Sequence, residues 1–238
     1  MSALWHSEPE VTVAVKKPIL FKNDETDQAG KGRRVSSSME NKSISIDILR
    51  HGETTAGASF VGSTDVSLTK TGWAQMQNAI PENYGYDAVI SSPLKRCADF
   101  ARAFSIKHDI PLVIEDNLRE MDFGEWEGLS SEKVWENDQQ ALLAFWQDPI
   151  ENPPTGGESI VTFHARVMAS FVDLLKRFEN KHLLMVTHVG PIRSILIWLM
   201  DASLRNANRI NITQGGVSRV RIAYDGREYY PVIEYINR

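Results

Sequence analysis

Cysteine is almost missing: Cys97 is the only one in 238 residues. That excludes an intrachain disulfide and any cysteine-rich zinc site, and it fits a reducing compartment, so the expected location is cytoplasmic. A basic excess is missing too, with 26 Lys and Arg against 31 Asp and Glu and a formal charge of −5. Nothing in that balance draws a nucleic acid or an anionic membrane surface, and an anion site here has to be a local basic pocket in an acidic surround. No apolar run is long enough to span a bilayer; the longest, Ile195–Met200, falls far short. The N-terminus lacks the apolar core of a signal peptide, and no stretch repeats another. What is present is ordinary: 42% hydrophobic and 24% charged residues, the balance of a globular chain that buries one core.

Residues 1–42 differ from the rest. They are polar and mixed in charge, with Gly30, Gly32 and a serine run at 36–38, and only Val11–Val15 and Ile19–Phe21 suit strand. They are expected to form a loosely ordered extension, with Met39 an alternative start of translation, and 43–238 to form the folded domain. From Ser43 onward strand and helix patterns alternate. Strands are expected at Ile44–Leu49, Asp87–Ile90, Leu112–Ile114 and Leu183–Val186. Helices are expected from Thr69 to about Ala79, at Leu94–His108, Ser130–Phe145 and Glu158–Glu179, and from Gly190 to about Met200. Ser92 followed by Pro93 reads as the cap of the second helix. The chain closes with a hairpin, Val217–Tyr224 and Tyr229–Ile236 around Asp225-Gly226, with Pro231 placing the last strand near an edge. The alternation predicts an α/β fold: a three-layer sandwich, its mainly parallel sheet covered by helices on both faces, with a C-terminal hairpin.

In open α/β sheets a ligand lies beyond the carboxyl ends of the strands, and the residues with chemistry fall there. Arg50-His51-Gly52-Glu53-Thr54 follows the first strand. Arg50 offers a planar fork of donors suited to phosphate, His51 a ring nitrogen able to attack phosphorus, and Gly52 either positive φ or close backbone approach. Thr54 either touches phosphate through its hydroxyl or closes the loop. Arg96 follows the second strand, Glu120 the third, and His188 the fourth, just before a helix whose positive end faces the site. Two arginines, two histidines and a glutamate at one sheet edge can run phosphoryl transfer with no metal and no other cofactor. A carboxylic acid would protonate the leaving alcohol and then, as carboxylate, activate water. Asp122, Glu125 and Glu127 lie close enough to Glu120 to rival it for that role.

The motifs in this order resemble the histidine phosphatase superfamily, the phosphoglycerate-mutase-like fold, over about residues 43–238. They are Arg50 to Thr54, Ser91-Ser92-Pro93 with Arg96, Leu118 to Gly128 with Glu120, Gly156-Gly157-Glu158-Ser159, and Thr187-His188 with Pro191-Ile192-Arg193. The resemblance implies His51 as the phosphorylated nucleophile, Glu120 as proton donor, Arg50, Arg96 and His188 as the phosphate clamp, and no metal. The run Asp122 to Gly128 is similar to that of small phosphatases acting on α-ribazole 5'-phosphate or on sugar phosphates. The short gap from Glu120 to His188 lacks the insertion that phosphoglycerate mutases usually carry, which favours hydrolysis. Many members have Asn at the position of Gly57, Arg at that of Ser59 and Gly at that of Val189.

Three functions follow for test. The first is a phosphomonoester hydrolase acting on a small phosphorylated metabolite through a phosphohistidine. The second is a mutase-type phosphotransferase, and the third a phosphate-binding regulatory module without turnover. Oligomeric state is open, a homodimer included. Trp126, Trp135 and Trp146 read as core or lid packing, Cys97 as a buried helix residue, and His6, His108, His164 and His182 receive no role.

Overall fold

A computed structural model of the protein describes residues 42–80, 85–225 and 227–238. The candidate strands Val11–Val15 and Ile19–Phe21, the candidate start Met39 and the turn residue Gly226 lie outside them. Alternation of Ile44, Ile46 and Ile48 with polar neighbours makes β1 (Lys42–Arg50) a strand with one face in the core. β2 (Ala88–Ser91) and β4 (His182–Thr187) bury both faces and lie inside the sheet. With β3 (Leu112–Ile114), β5 (Val217–Tyr224) and β6 (Tyr229–Tyr235) they form a six-stranded sheet of order β3-β2-β4-β1-β5-β6. β3, β2, β4 and β1 run parallel, and β5 and β6 extend the sheet antiparallel. Pro231 lies in the edge strand β6, where a missing N–H is tolerated.

Helices cover both faces. Leu49, Val89, Leu184 and Val186 pack against Met76 of α1 (Lys70–Ala79) and Cys97 and Phe100 of α2 (Lys95–His108). On the other face Ile46, Ile48, Ile90 and Met185 meet α3 (Ser131–Gln147), α4 (Ile160–Arg177) and α5 (Val189–Leu199) through Leu142, Phe171, Leu174 and Ile195. Each of these fully buried aliphatic side chains contributes about 2 kcal/mol of transfer free energy. No helix among the described residues is long and apolar enough to cross a membrane.

Thr69, Ser130 and Ser159 cap their helices by accepting from the backbone N–H of Gly72, Lys133 and Thr162. Ser92 does not cap α2, contrary to the sequence pattern. Leu94 occupies the cap position without a side-chain bond; the Ser92 hydroxyl, two residues earlier, accepts from Leu94 N at 3.4 Å and meets His188 Nε2 at 2.7 Å. α3 also departs from a single regular helix. Asp138 is non-helical at φ −153° and ψ 68°. Its carboxylate accepts from Ala141 N at 3.0 Å, which caps a second helical segment inside the first. A short 3-10 helix at Leu204–Arg209, which has no periodic signature, joins α5 to β5.

β1 also buries a charge. Asp47 is 1% exposed and takes both Arg219 (2.6 and 2.7 Å) and the Tyr86 hydroxyl (2.7 Å), with His182 at 3.4 Å. Burial alone would push its pKa up; bonds from Arg219, His182 and Tyr86 outweigh that and hold it well below the usual carboxylate range. Asp47→Ala is expected to cost about 2 kcal/mol in urea unfolding at pH 7, because the partly buried Arg219 and the Tyr86 hydroxyl lose their shared acceptor. A depressed carboxyl contributes fully above its unfolded pKa, about 4, and loses that contribution as pH falls below it. The wild type should therefore lose stability below pH 4 more steeply than Asp47→Asn. Equal acid limbs in the two proteins would contradict this role for Asp47.

Candidate active site

Parallel pairing of β1 with β4 sets Arg50 opposite Thr187. His51 N donates to Thr187 O at 2.9 Å, and Ser92 N donates to Val186 O at 3.0 Å. The chain therefore leaves β1, β2 and β4 at one level, and His51, Ser92 and His188 emerge side by side. The His51 and His188 rings stand edge to face, 5.1 Å between centroids. Glu120 arrives on the loop after β3. Thr187 Oγ1 donates to Leu118 O at 2.7 Å. Arg166 of α4 donates to the carbonyls of Asn117 (2.7 Å), Arg119 (2.9 Å) and Glu120 (2.9 Å) while paired with Glu158.

Hydrogen bonds fix the tautomers. His51 Nδ1 lies 2.8 Å from Gly52 O. A carbonyl only accepts, so Nδ1 carries the hydrogen and Nε2 keeps its lone pair. Burial first, then the positive charges of Arg96 and Arg50, lower the His51 pKa to about 3. His51 is thus a neutral imidazole at physiological pH, which a nucleophile requires. His188 Nδ1 accepts from Arg96 Nε at 3.1 Å, which leaves Nε2–H to donate to Ser92 Oγ at 2.7 Å. Burial and the nearby cations hold the His188 pKa well below its ordinary value.

Arg96 is fully buried. Its guanidinium donates to the carbonyls of Thr64 (2.8 Å), Val61 (2.9 Å) and Gly62 (2.8 Å), and no carboxylate pairs with it among the described residues. Arg50 donates Nη1 to Ile212 O at 2.5 Å, and its buried Nε has no partner. Burial lowers the Arg50 pKa, with Glu120 opposing. Glu120 accepts from Met121 N at 2.9 Å and Gly190 N at 3.1 Å. A Cβ on Gly190 would sit 2.1 Å from Glu120 Oε1, so a side chain there would displace the Glu120 carboxylate from its present position. Gly52 is needed for approach rather than for positive φ: a Cβ would sit 2.2 Å from Gly72 O.

A cavity of about 470 Å³ opens at this level. Arg50, His51, Thr54 and Glu120 line it, whereas Arg96 and His188 lie buried behind His51. The rivals of Glu120 are engaged elsewhere. Glu127 gathers the N–H groups of Gly62, Ser63, Thr64 and Phe123 together with the Thr64 hydroxyl. Asp122 accepts from Gly124 N, and Glu125 is exposed. Two further wall residues, Arg193 and Asn208, received no role from the sequence. Arg193 donates to Ile210 O (2.8 Å) and to Asn208 Oδ1 (3.2 Å). Because a guanidinium only donates, Asn208 must turn its oxygen to it, and its buried Nδ2 is left without an acceptor. The Pro191-Ile192-Arg193 run was the one available hint of Arg193; Asn208, on the short 3-10 helix, had none.

The family model described as the histidine phosphatase superfamily, branch 1, matches residues 46–232. The chain belongs to the histidine phosphatase superfamily. A bifunctional protein of Mycobacterium tuberculosis is 32% identical over 184 residues, 75% of this chain. The chain spans 50% of that relative's length. A 2,3-bisphosphoglycerate-dependent phosphoglycerate mutase of Rhizobium etli is 29% identical, covering 75% of this chain and 90% of its own. The crystal structure of the alpha-ribazole phosphatase from Shigella flexneri superposes with a TM-score of 0.71 at 26% identity, over 82% of this chain and 96% of that one. The chain departs from many members of the superfamily at Gly57 and Ser59, and both line the cavity. Gly57 has φ +63°, a conformation that asparagine also tolerates, and Ser59 Oγ donates to Ala56 O at 2.9 Å. Neither position brings a cation to the wall.

Two measurements follow from this geometry. Nitrogen-15 NMR of the free protein at pH 5 should show His51 as the neutral Nδ1–H tautomer, its pKa lying far below the ordinary value; an imidazolium signal would overturn the assignment. Glu127→Ala should destabilise by about 2 kcal/mol, since it frees the 62–64 loop whose carbonyls hold Arg96. Unchanged denaturant unfolding in that variant would contradict the clamp.

Proposed function

We propose that this histidine phosphatase is a metal-independent phosphomonoester hydrolase of the cytoplasm. It acts on a small phosphorylated metabolite, such as α-ribazole 5'-phosphate or a sugar phosphate, through a phosphohistidine at His51. The observation that carries the reading is the state of His51: a neutral imidazole whose Nε2 lone pair is free, in the wall of a cavity with Arg50 and Glu120. The unpartnered Nε of Arg50 and Nδ2 of Asn208 are donors that an anionic, oxygen-rich ligand would satisfy.

In the proposed reaction, His51 Nε2 attacks phosphorus and the phosphorus–oxygen ester bond breaks. The leaving alkoxide takes the proton of the Glu120 carboxyl group. Glu120, now a carboxylate, removes a proton from water as the water oxygen attacks the phosphohistidine, and phosphate departs with His51 restored. Arg50 from the wall, and Arg96 with His188 from behind the nucleophile, offset the charge on the phosphoryl oxygens, the task a metal performs elsewhere. Thr54 lies in the same wall, where its hydroxyl adds a donor. The Arg166 clamp holds the Glu120 backbone where that proton transfer needs it.

Phosphate release in the presence of a chelator tests the reading. His51→Ala should abolish release, and Glu120→Gln should slow esters of poorly acidic alcohols by about a hundredfold or more while sparing activated esters. Full activity in His51→Ala would end the proposal. Isomerised product with little free phosphate would favour the mutase-type reading that the Rhizobium relative's name suggests.

A further inference from the structure

The cavity has two unlike ends. Arg50, Glu120 and Arg193 sense one another's charge and, with His51, form a polar end. The other end is aromatic. Ring centroids of Phe60 and Phe123 lie 5.1 Å apart, those of Phe60 and Trp126 5.5 Å, and those of Trp126 and Phe145 5.5 Å. Phe60, Phe123 and Phe145 line the cavity together with Trp146 and Leu204. Trp146, a lining residue, is 44% exposed, so part of its indole remains in water. Leu204 is held in place because its neighbour Arg205 pairs with Asp148 and Glu151, just past the end of α3. This wall is therefore tied on both sides. Gly57 and Ser59 add no charge to the lining, which contains no lysine or aspartate among the described residues.

We propose that the alcohol part of the substrate is a bulky apolar body, most simply an aromatic ring. It seats against Phe60, Phe123, Phe145, Trp146 and Leu204 while the phosphate lies at Arg50 and His51. The proposal rests on the phosphatase reading in placing the phosphorus. A ring entering this end gains apolar burial and edge-to-face contacts. The hydroxyls of a sugar, or the ammonium and carboxylate of phosphoserine, would lose water against these five apolar side chains, which offer them no hydrogen bond. A cavity of about 470 Å³ holds a phosphate with one or two fused rings. Of the two substrate kinds named above, this end disfavours the sugar phosphate.

Calorimetric titration of the full chain with non-hydrolysable phosphonates decides the matter without relying on turnover. Phenethylphosphonate should bind at least about tenfold more tightly than ethylphosphonate. The phosphonate analogue of phosphoserine should bind no better than ethylphosphonate. In Trp146→Ala, and in Leu204→Asn as an independent variant, the phenethyl-to-ethyl ratio should fall about threefold or more. A flat series, tightest binding by the serine analogue, or a ratio untouched in both variants overturns the proposal. Phosphate release from para-nitrophenyl phosphate is read alongside. Release with a flat phosphonate series removes this proposal and leaves the phosphatase reading standing. No release with the phenethyl preference intact removes the phosphatase reading and leaves the aromatic subsite.

Discussion

The architecture of the site turns on the burial of the Arg96 guanidinium. A cation withdrawn from water costs several kcal/mol unless every donor finds an acceptor. Arg96 finds four without a carboxylate: three backbone carbonyls from the 61–64 loop and the Nδ1 of His188. Each acceptor imposes a condition on its neighbours. The loop keeps its carbonyls turned inward because Glu127 collects the N–H groups on its other side. His188 must hold its hydrogen on Nε2, which obliges Ser92 to face it and leaves the Ser92 hydroxyl only a long 3.4 Å bond from Leu94 N at the helix start. The positive charge, left without a counter-ion, helps keep His51 neutral. One buried cation thus links a loop, a helix start, a tautomer and the protonation state of the candidate nucleophile.

Much of this was legible in the sequence because it is local. Alternation at Ile44, Ile46 and Ile48 gave β1, the apolar run Leu183–Val186 gave a strand buried on both faces, and the rule that ligands sit past strand ends led to Arg50, His51, Arg96, Glu120 and His188. What was not legible is non-local. Ser92 carried a helix-start signal that tertiary contact overrode. Asp138 sat inside an unbroken helical pattern, and only its side-chain bond to Ala141 N marks the second start. Arg193 reads as one charge on an otherwise apolar helix, and Asn208 as a loop residue; their bond spans two elements and leaves no periodicity. Motif position pointed to Glu120 in the sequence, but only the fold shows that Glu120 lines the cavity while Glu127 turns to the 62–64 loop.

The two ends of the cavity are built by different means. The groups suited to chemistry stand on strand ends or are pinned to them, as Thr187 and Arg166 pin the Glu120 loop. Strand ends are held by ladders of backbone bonds and locate a side chain closely. The selecting end comes from the last part of α3, the 3-10 helix at 204–209 and the loop near Phe60. These are joined to one another by side-chain ties such as Arg205 to Asp148 and Glu151. Surface ion pairs of this kind contribute little to stability. Such a wall can change its lining between relatives without disturbing the sheet, so the same chemical end can serve alcohols of different character.

Net charge bears on how an anionic ligand enters. The whole chain carries −5, so at long range it repels an anion rather than steering it. That repulsion is screened beyond about 8 Å at physiological ionic strength. Inside the cavity Arg50, with Arg96 behind the nucleophile, touches no carboxylate among the described residues; the nearby charge of Glu120 offsets part of its field, and burial removes the water that would screen the rest. Under the reading proposed above, apolar contact with the aromatic wall and capture of the phosphate at Arg50 act within one cavity, so each holds the ligand in reach of the other.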